Sequence, residues 1–213
     1  MSAELSQLKA SVLACARAMN AGGINRGTAG NVSARTEGGF VVTPTGMDYL
    51  QSAPDDMVFV AMDGQSSDKR KPSSEWHFHR DIYAQRPEAG AIVHTHSPFA
   101  TSLACLGKDV PPFHYMIARF GGDTVRCADY ATFGTQALSD TMLRALSGRS
   151  ACLMANHGMT VFGRDLDQAL AHAIELEVLC EQYWRVLQLG EPRLLPEDEM
   201  QRVLEKFKTY GQS

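Results

Sequence analysis

The chain has 213 residues, 44% hydrophobic and 21% charged, with a formal net charge of −4, values of a globular protein long enough to bury a core in one compact domain, residues 1–213. Lys and Arg are scattered, which excludes a nucleic-acid footprint, and no apolar run of about 18 residues offers a membrane span. Charges at Glu4, Lys9 and Arg17 interrupt any N-terminal export signal, and five widely spaced cysteines without a C-x-x-C pair fit a reduced, cytoplasmic protein.

Leu5, Leu8, Val12, Cys15 and Met19 recur at steps of three or four and predict an amphipathic first helix ending at Gly22-Gly23. Asn31 to Ala34 and Phe40 to Thr43 read as a hairpin joined by Arg35-Thr36-Glu37-Gly38-Gly39, and Met57 to Val60 as a third strand. At Pro72-Ser73-Ser74-Glu75, hydroxyls at the cap and a carboxylate in the first turn predict a helix through about Gln85, closed by Pro87. Ala91-Ile92-Val93 leads a strand into His94-Thr95-His96, and Pro98 opens a short helix carrying Leu103 and Leu106. Between Gly107 and Gly134 the signals are mostly those of a loop with room for brief strands, a length that points to function. A helix from Thr135 to Leu146, strands at Ala151 to Met154 and Met159 to Phe162, and a helix capped by Asp165 and running to about Leu189 follow. Pro192 and Pro196 break that helix, and Val203, Leu204 and Phe207 mark a last short one. The alternation predicts a mixed domain with a central sheet flanked by helices.

Seven histidines are present, four of them in two His-x-His pairs. Helical residues two apart point roughly 200° apart around the axis, so His77 and His79 cannot share an ion and read as structural. In a strand the side-chain period is two. His94 and His96 therefore project from one face, as chelating ligands or as two satisfied polar residues at a strand end. His157, in the tight Asn156-His157-Gly158 connection, offers a third imidazole, and three histidines with an open position are typical of catalytic Zn²⁺. His114 in the loop and His172 on the C-terminal helix are left over, the latter for packing or surface.

Three turns carry anion-binding chemistry. Gly27-Thr28-Ala29-Gly30-Asn31 combines glycines, a hydroxyl and an amide, Thr43-Pro44-Thr45-Gly46 is a second hydroxyl-bearing turn, and Ser73-Ser74 sits at a helix N-terminus. None matches a dinucleotide or P-loop spacing. Glu75 reads either as a helix-capping carboxylate or as a general base beside the metal.

These residues, with His114-Tyr115-Met116-Ile117-Ala118, Tyr130-Ala131-Thr132-Phe133-Gly134-Thr135 and the terminal Glu205-Lys206-Phe207-Lys208-Thr209-Tyr210-Gly211, resemble the class II, zinc-dependent aldolases of the aldolase II and adducin head family. The resemblance covers nearly the whole chain and is nearest to the L-fuculose-phosphate aldolases. It implies an α/β class, three-layer α/β/α fold with a central, mainly antiparallel sheet, assembled as a cyclic homotetramer. It makes His94, His96 and His157 the ligands of one Zn²⁺ per subunit, and Glu75 the acid-base residue. Thr28, Gly30, Asn31, Thr45, Gly46, Ser73 and Ser74 match the phosphate pocket. Tyr115 matches a tyrosine that protonates the aldehyde oxygen in a neighbouring subunit's site, and Phe133 and Tyr210 match residues lining the aldehyde end.

The implied reaction is reversible cleavage of a ketose 1-phosphate, L-fuculose 1-phosphate giving dihydroxyacetone phosphate and L-lactaldehyde, with Zn²⁺ as the electron sink for an enediolate. The same scaffold carries aldolases for other deoxy-ketose 1-phosphates and ribulose-5-phosphate 4-epimerases, and the adducin head is a non-catalytic interaction module. Arg119-Phe120 stand where smaller residues are expected. They read either as a bulkier, cationic lip that changes the aldehyde accepted or as two surface substitutions.

Overall fold

In the computed structural model, which describes residues 2–209, strands β1 (Asn31–Thr36), β2 (Gly39–Val42), β3 (Val58–Ala61), β4 (Ala91–Thr95), β5 (Arg126–Ala128), β6 (Ala151–Met154) and β7 (Gly158–Gly163) form one sheet. Their order across it is β3-β2-β1-β4-β7-β6-β5. Every neighbouring pair is antiparallel except β5 and β6 at one edge. Six helices accompany the sheet: α1 (Ala3–Ala21), α2 (Trp76–Gln85), α3 (Pro98–Ala104), α4 (Gln136–Ala145), α5 (Leu166–Leu189) and α6 (Glu197–Phe207).

Side-chain alternation along the strands splits the core into two layers. Val32, Ala34, Val93 and Val161 face Val12, Ala16 and Met19 of α1, together with α3 and α5. Phe40, Val42, Ile92 and Cys152 face the other way, onto Phe78 and Ile82 of α2 and Leu138 and Met142 of α4. The expected three-layer α/β/α arrangement with a mainly antiparallel sheet is therefore the observed one. β4 lies at the centre with all five residues buried, which is why its apolar run is unbroken up to His94.

The main departures lie where long-range packing decides. The β1–β2 hairpin is tighter than expected, with Thr36 paired to Gly39 around Glu37-Gly38, and Gly38 supplies the positive φ of 72° that such a turn needs. The long loop holds β5, a brief strand of the kind expected there, and departs from expectation only in its 3-10 turn, Tyr115–Phe120. Leu106 falls beyond α3 and is exposed. Phe120 is fully buried with its ring edge-on to His172, 5.7 Å between centroids, so it is neither a lip nor a surface substitution. His172 has the packing role expected of it, with Nδ1 3.0 Å from the Phe162 carbonyl oxygen. Tyr210 lies outside the described residues.

Asp81 ties the two helices of one layer together. Its carboxylate accepts from Ser139 Oγ at 2.5 Å and Gln136 Nε2 at 2.8 Å, both on α4, and pairs with Arg80. Burial alone would raise its acid, but the Ser139, Gln136 and Arg80 donors outweigh that and hold it below the usual carboxylate value. Asp81→Asn is expected to destabilise the fold by about 1 kcal/mol at neutral pH. A depressed carboxylate stabilises above its unfolded value, so the difference in Tm from wild type should close as the pH is lowered through about 4 and below.

Candidate active site

Asn31 on β1 lies directly opposite His94 on β4, on the sheet face that α2 covers. Glu75 occupies the N-cap position of α2, one residue earlier than a first-turn carboxylate, and makes no capping bond with its side chain. Ser73 does that work instead, its Oγ accepting from Glu75 N–H at 3.3 Å and its carbonyl from Trp76 N–H at 3.1 Å. The Glu75 carboxylate is thereby free to turn into the sheet and meet the histidines.

Those histidines form a nearly equilateral triangle. Ring centroids of His94, His96 and His157 are 5.0, 4.9 and 4.8 Å apart, with planes crossed at 77° to 80°. His94 Nδ1 lies 2.9 Å from the Met159 carbonyl oxygen; a carbonyl only accepts, so that nitrogen carries the hydrogen and Nε2 of the neutral ring is a bare lone pair. His94 Nε2 faces Glu75 Oε2 at 3.2 Å and His96 Nε2 at 3.1 Å, while His157 Nε2 lies 3.1 Å from Glu75 Oε1. That oxygen is buried without a hydrogen-bond partner.

The bare Nε2 of His94 and Glu75 Oε2 repel at 3.2 Å unless positive charge lies between them. A divalent cation supplies it, and a donor set of three imidazole nitrogens and a carboxylate oxygen, all within 4.8 Å of one another, fits one. Burial would raise the Glu75 carboxyl, but the hydrogen bonds and positive charge that the His94 and His157 rings bring when protonated outweigh it and hold it well below the usual range, and a cation in place of those protons acts in the same direction. Desolvation first, then the neighbouring His94 and His157 rings, lower His96 to about 4. Both groups are thus in the form a metal needs at neutral pH.

Each ligand is held by a separate device. The His157 turn places Asn156 in the left-handed region at φ 55°, and Asn156 N–H donates to the Ala104 carbonyl at 3.3 Å. Gly30 and Gly158 let backbone press against the end of β4: a Cβ on Gly30 would lie 2.6 Å from His94 O, and one on Gly158 would run into Thr95 O. His96, just past β4, is anchored through the next residues. The buried Glu177 of α5 accepts from Ser97 Oγ at 2.6 Å, Phe99 N–H at 2.8 Å and Ala100 N–H at 2.9 Å, capping α3 from outside. Glu177 went unmarked in the sequence reading, although an acid among Ala173, Leu176 and Cys180 on a buried stripe is a visible signal.

Glu75 and His94 are buried, His157 is half-buried and His96 is exposed, so the cluster opens on one side. A cleft of about 270 Å³ lies there, bordered by Ala29, Ser74, Tyr130, Ala131, Phe133 and Asn156 as well as Glu75, His96 and His157. Phe133, expected at the aldehyde end, borders this cleft. Tyr130 joins it as a lining residue that the sequence reading quoted only within a motif; both aromatics are more than 60% exposed, at 63% and 66%. Ser73 N–H donates to Thr43 O and Thr45 N–H to Lys71 O, so the Thr45-Gly46 turn is zipped to the Ser73-Ser74 segment. Thr28, Thr45, Gly46 and Ser74 are exposed, whereas Gly30, Asn31 and Ser73 are buried. Gly30 N–H donates to Asn25 Oδ1 at 3.0 Å, and the Asn31 amide to Glu75 Oε2 at 3.0 Å. Tyr115 is 50% exposed and borders a different groove, with Phe113, Met116, Val203 and Phe207.

Fold and donor set together describe an α/β/α scaffold with a place for a divalent cation at the edge of an open cleft. Residues 10–184 match the Class II Aldolase and Adducin N-terminal domain family, and the chain belongs to that family. The 5-methylthioribulose-1-phosphate/5-deoxyribulose-1-phosphate aldolase of Rhodospirillum rubrum is 53% identical over 204 residues, covering 96% of this chain and 92% of that protein. The L-fuculose phosphate aldolase of Escherichia coli K12 is 44% identical over 190 residues, 89% of this chain and 88% of that one. A solved L-fuculose 1-phosphate aldolase superposes with a TM-score of 0.92 at 35% identity, over 98% of both chains. The chain is a class II aldolase, and among its described residues no helix is long and apolar enough to cross a membrane.

Two substitutions away from the ligands should weaken the site. Gly158→Ala is expected to cost about 1–3 kcal/mol through overpacking against Thr95. Glu177→Gln keeps the volume but removes the charge from three donors, and is expected to cost about 2 kcal/mol. Thermal unfolding and a Zn²⁺ competition titration check both. For Glu177→Gln, zinc affinity should fall along with Tm, because the segment it caps begins next to His96.

Proposed function

We propose that the protein is a zinc-dependent aldolase that reversibly cleaves a ketose 1-phosphate with an apolar far end, a 5-deoxy- or 5-methylthio-pentulose 1-phosphate, into dihydroxyacetone phosphate and the matching aldehyde. The observation that carries it is the uncapped Glu75 carboxylate, with one oxygen unpartnered, turned in among His94, His96 and His157. The apolar and aromatic border of the cleft at Ala29, Tyr130, Ala131 and Phe133 supports the choice of aldehyde end. So does the name of the Rhodospirillum rubrum relative at 53% identity. L-fuculose 1-phosphate, whose aldehyde also ends in a methyl group, is the second reading, supported by the 44% identical aldolase of Escherichia coli K12. The donor set weighs against a non-catalytic, adducin-like module.

Zn²⁺ held by His94, His96 and His157 would supply Lewis-acid stabilisation of the negative charge that develops when the carbon–carbon bond breaks. Thr28, Thr45, Gly46 and Ser74 hold the phosphate through exposed hydroxyls and backbone, with Gly30, Asn31 and Ser73 shaping the floor beneath them. That anchor positions the reacting carbons. In synthesis Glu75 removes a proton from dihydroxyacetone phosphate, and in cleavage it returns one to the same carbon. Tyr115 of a neighbouring subunit protonates the aldehyde oxygen in synthesis and takes that hydroxyl proton back in cleavage, which fits its half-exposed position away from its own chain's cleft. The protein then works as a homotetramer with shared sites, in a reducing, cytoplasmic setting where its five free thiols persist.

A panel of 5-methylthioribulose 1-phosphate, 5-deoxyribulose 1-phosphate, L-fuculose 1-phosphate and ribulose 5-phosphate, assayed with and without chelator, tests this reading. Cleavage of the first two should be fastest and chelator-sensitive; cleavage of none by zinc-loaded protein sinks it. Glu75→Gln should lower kcat by about 10²- to 10⁴-fold. Mixed tetramers of Tyr115→Phe and Glu75→Gln subunits should regain activity that neither parent has, and no rescue in verified hybrids rules out shared sites.

A further inference from the structure

Glu75 is the end of a buried chain of hydrogen bonds that runs back into the molecule. Asn31 Nδ2 donates to Glu75 Oε2 at 3.0 Å, and Asn31 Oδ1 meets His79 Nε2 at 2.5 Å. His79 Nδ1 meets Ser33 Oγ at 2.7 Å, and Ser33 Oγ meets the Tyr83 hydroxyl at 2.7 Å. Ser33 and His79 have no exposed surface, and Asn31 and Tyr83 almost none. The chain exists because two repeats match. Alternate residues of a strand, here Asn31 and Ser33, are about 6.6 Å apart, and every fourth residue of a helix, here Glu75, His79 and Tyr83, rises about 6 Å. Strand and helix side chains therefore interleave one by one. Arg35, next along the same strand face, closes the series with its guanidinium 4.7 Å from the Tyr83 ring centroid and bonds to the carbonyls of Tyr83, Arg86 and Ala89.

The carboxylate sets the direction of every bond. Because an ionised carboxylate only accepts, Asn31 must turn its NH₂ to Glu75 and its carbonyl to His79. His79 then carries its hydrogen on Nε2, its Nδ1 accepts from Ser33, and Ser33 accepts from Tyr83. Complete burial lowers the His79 imidazole to about 3, so the ring is neutral, and the bond directions set from the carboxylate leave the chain one arrangement.

We propose that His79 is a positioning residue: backed by Ser33 and Tyr83, it holds Asn31, and through Asn31 one oxygen of the Glu75 carboxylate, in the single orientation the reaction uses. The proposal rests on Glu75 being the acid-base residue of the aldolase reading. Nothing in it requires His79 to exchange a proton with substrate or to touch the metal.

Two measurements test it, one of them blind to catalysis. Wild type, His79→Phe, His79→Gln and Tyr83→Phe are compared on the ketose 1-phosphate that wild type cleaves best, with bound zinc and thermal unfolding read on the same samples. His79→Phe should lower kcat about 100-fold, with KM and zinc content within about twofold of wild type. His79→Gln, whose amide can replace the Nε2–H donor, should recover to within about fivefold, and Tyr83→Phe should lose about threefold to tenfold. Equal kcat losses in His79→Phe and His79→Gln, or losses confined to zinc content or Tm, overturn the proposal. If His79→Phe does not fold, an unchanged kcat in Tyr83→Phe overturns it. The second measurement is ¹⁵N NMR of imidazole-labelled wild type, where His79 should be the neutral Nε2–H tautomer at neutral pH; an imidazolium or an Nδ1–H tautomer overturns the chain. A wild type that cleaves no ketose 1-phosphate counts against the aldolase reading alone, because the NMR result is independent of turnover.

Discussion

His94 Nε2, bare because that ring's hydrogen sits on Nδ1, lies 3.2 Å from a Glu75 carboxylate oxygen, and in the absence of positive charge these two lone-pair atoms push each other apart. Everything around the site can be read as resistance to that push. The donors come from four places distant in sequence, the start of α2, the end of β4, the segment leading into α3 and the β6–β7 turn. Each is fixed by bonds or close packing that do not involve the metal. Such a scaffold lowers the reorganisation needed when a cation arrives, since the ligands are already gathered.

The same logic explains why β4 is the central strand. It is paired on both sides and covered on both faces, so its backbone has little freedom, and His94 inherits that rigidity from its neighbours at Asn31 and Thr160. Where the chain leaves the sheet, order has to come from elsewhere. Glu177 supplies it after His96 by gathering the free N–H groups at the beginning of α3, and the Asn156 turn supplies it before His157 at the expense of a left-handed residue.

Much of this was legible in the residues. Periodicity alone separated His94 and His96, which can converge, from His77 and His79, which cannot. The end points of β6 and the span of α5 also follow from local signals, a short apolar run in one case and an Asp165 cap in the other. Glu75 was ambiguous because capping and catalysis ask for the same residue at nearly the same position; the Ser73 bonds show only that it is not the cap. The use of Asn31 was not legible at all. Its turn looked like an anion cradle, and its partners Glu75 and His79 are 44 and 48 residues away. Phe120 was misplaced for the same reason, since no local pattern tells a loop aromatic that faces solvent from one that packs beneath a helix.

The Tyr130-to-Phe133 segment borders the cleft yet supplies none of the metal donors, which come from other segments of the chain. The two parts therefore respond differently to inherited change. A one-residue insertion in β1 or α2 would slide one set of interleaved side chains past the other and disorder the metal site. Changes in the aromatic loop alter the shape of the cleft's mouth and leave the ligands where they are. A lineage built on this scaffold can thus reshape the mouth of the cleft while the donor cluster stays constant, which is consistent with relatives that bear the names of different sugar phosphates.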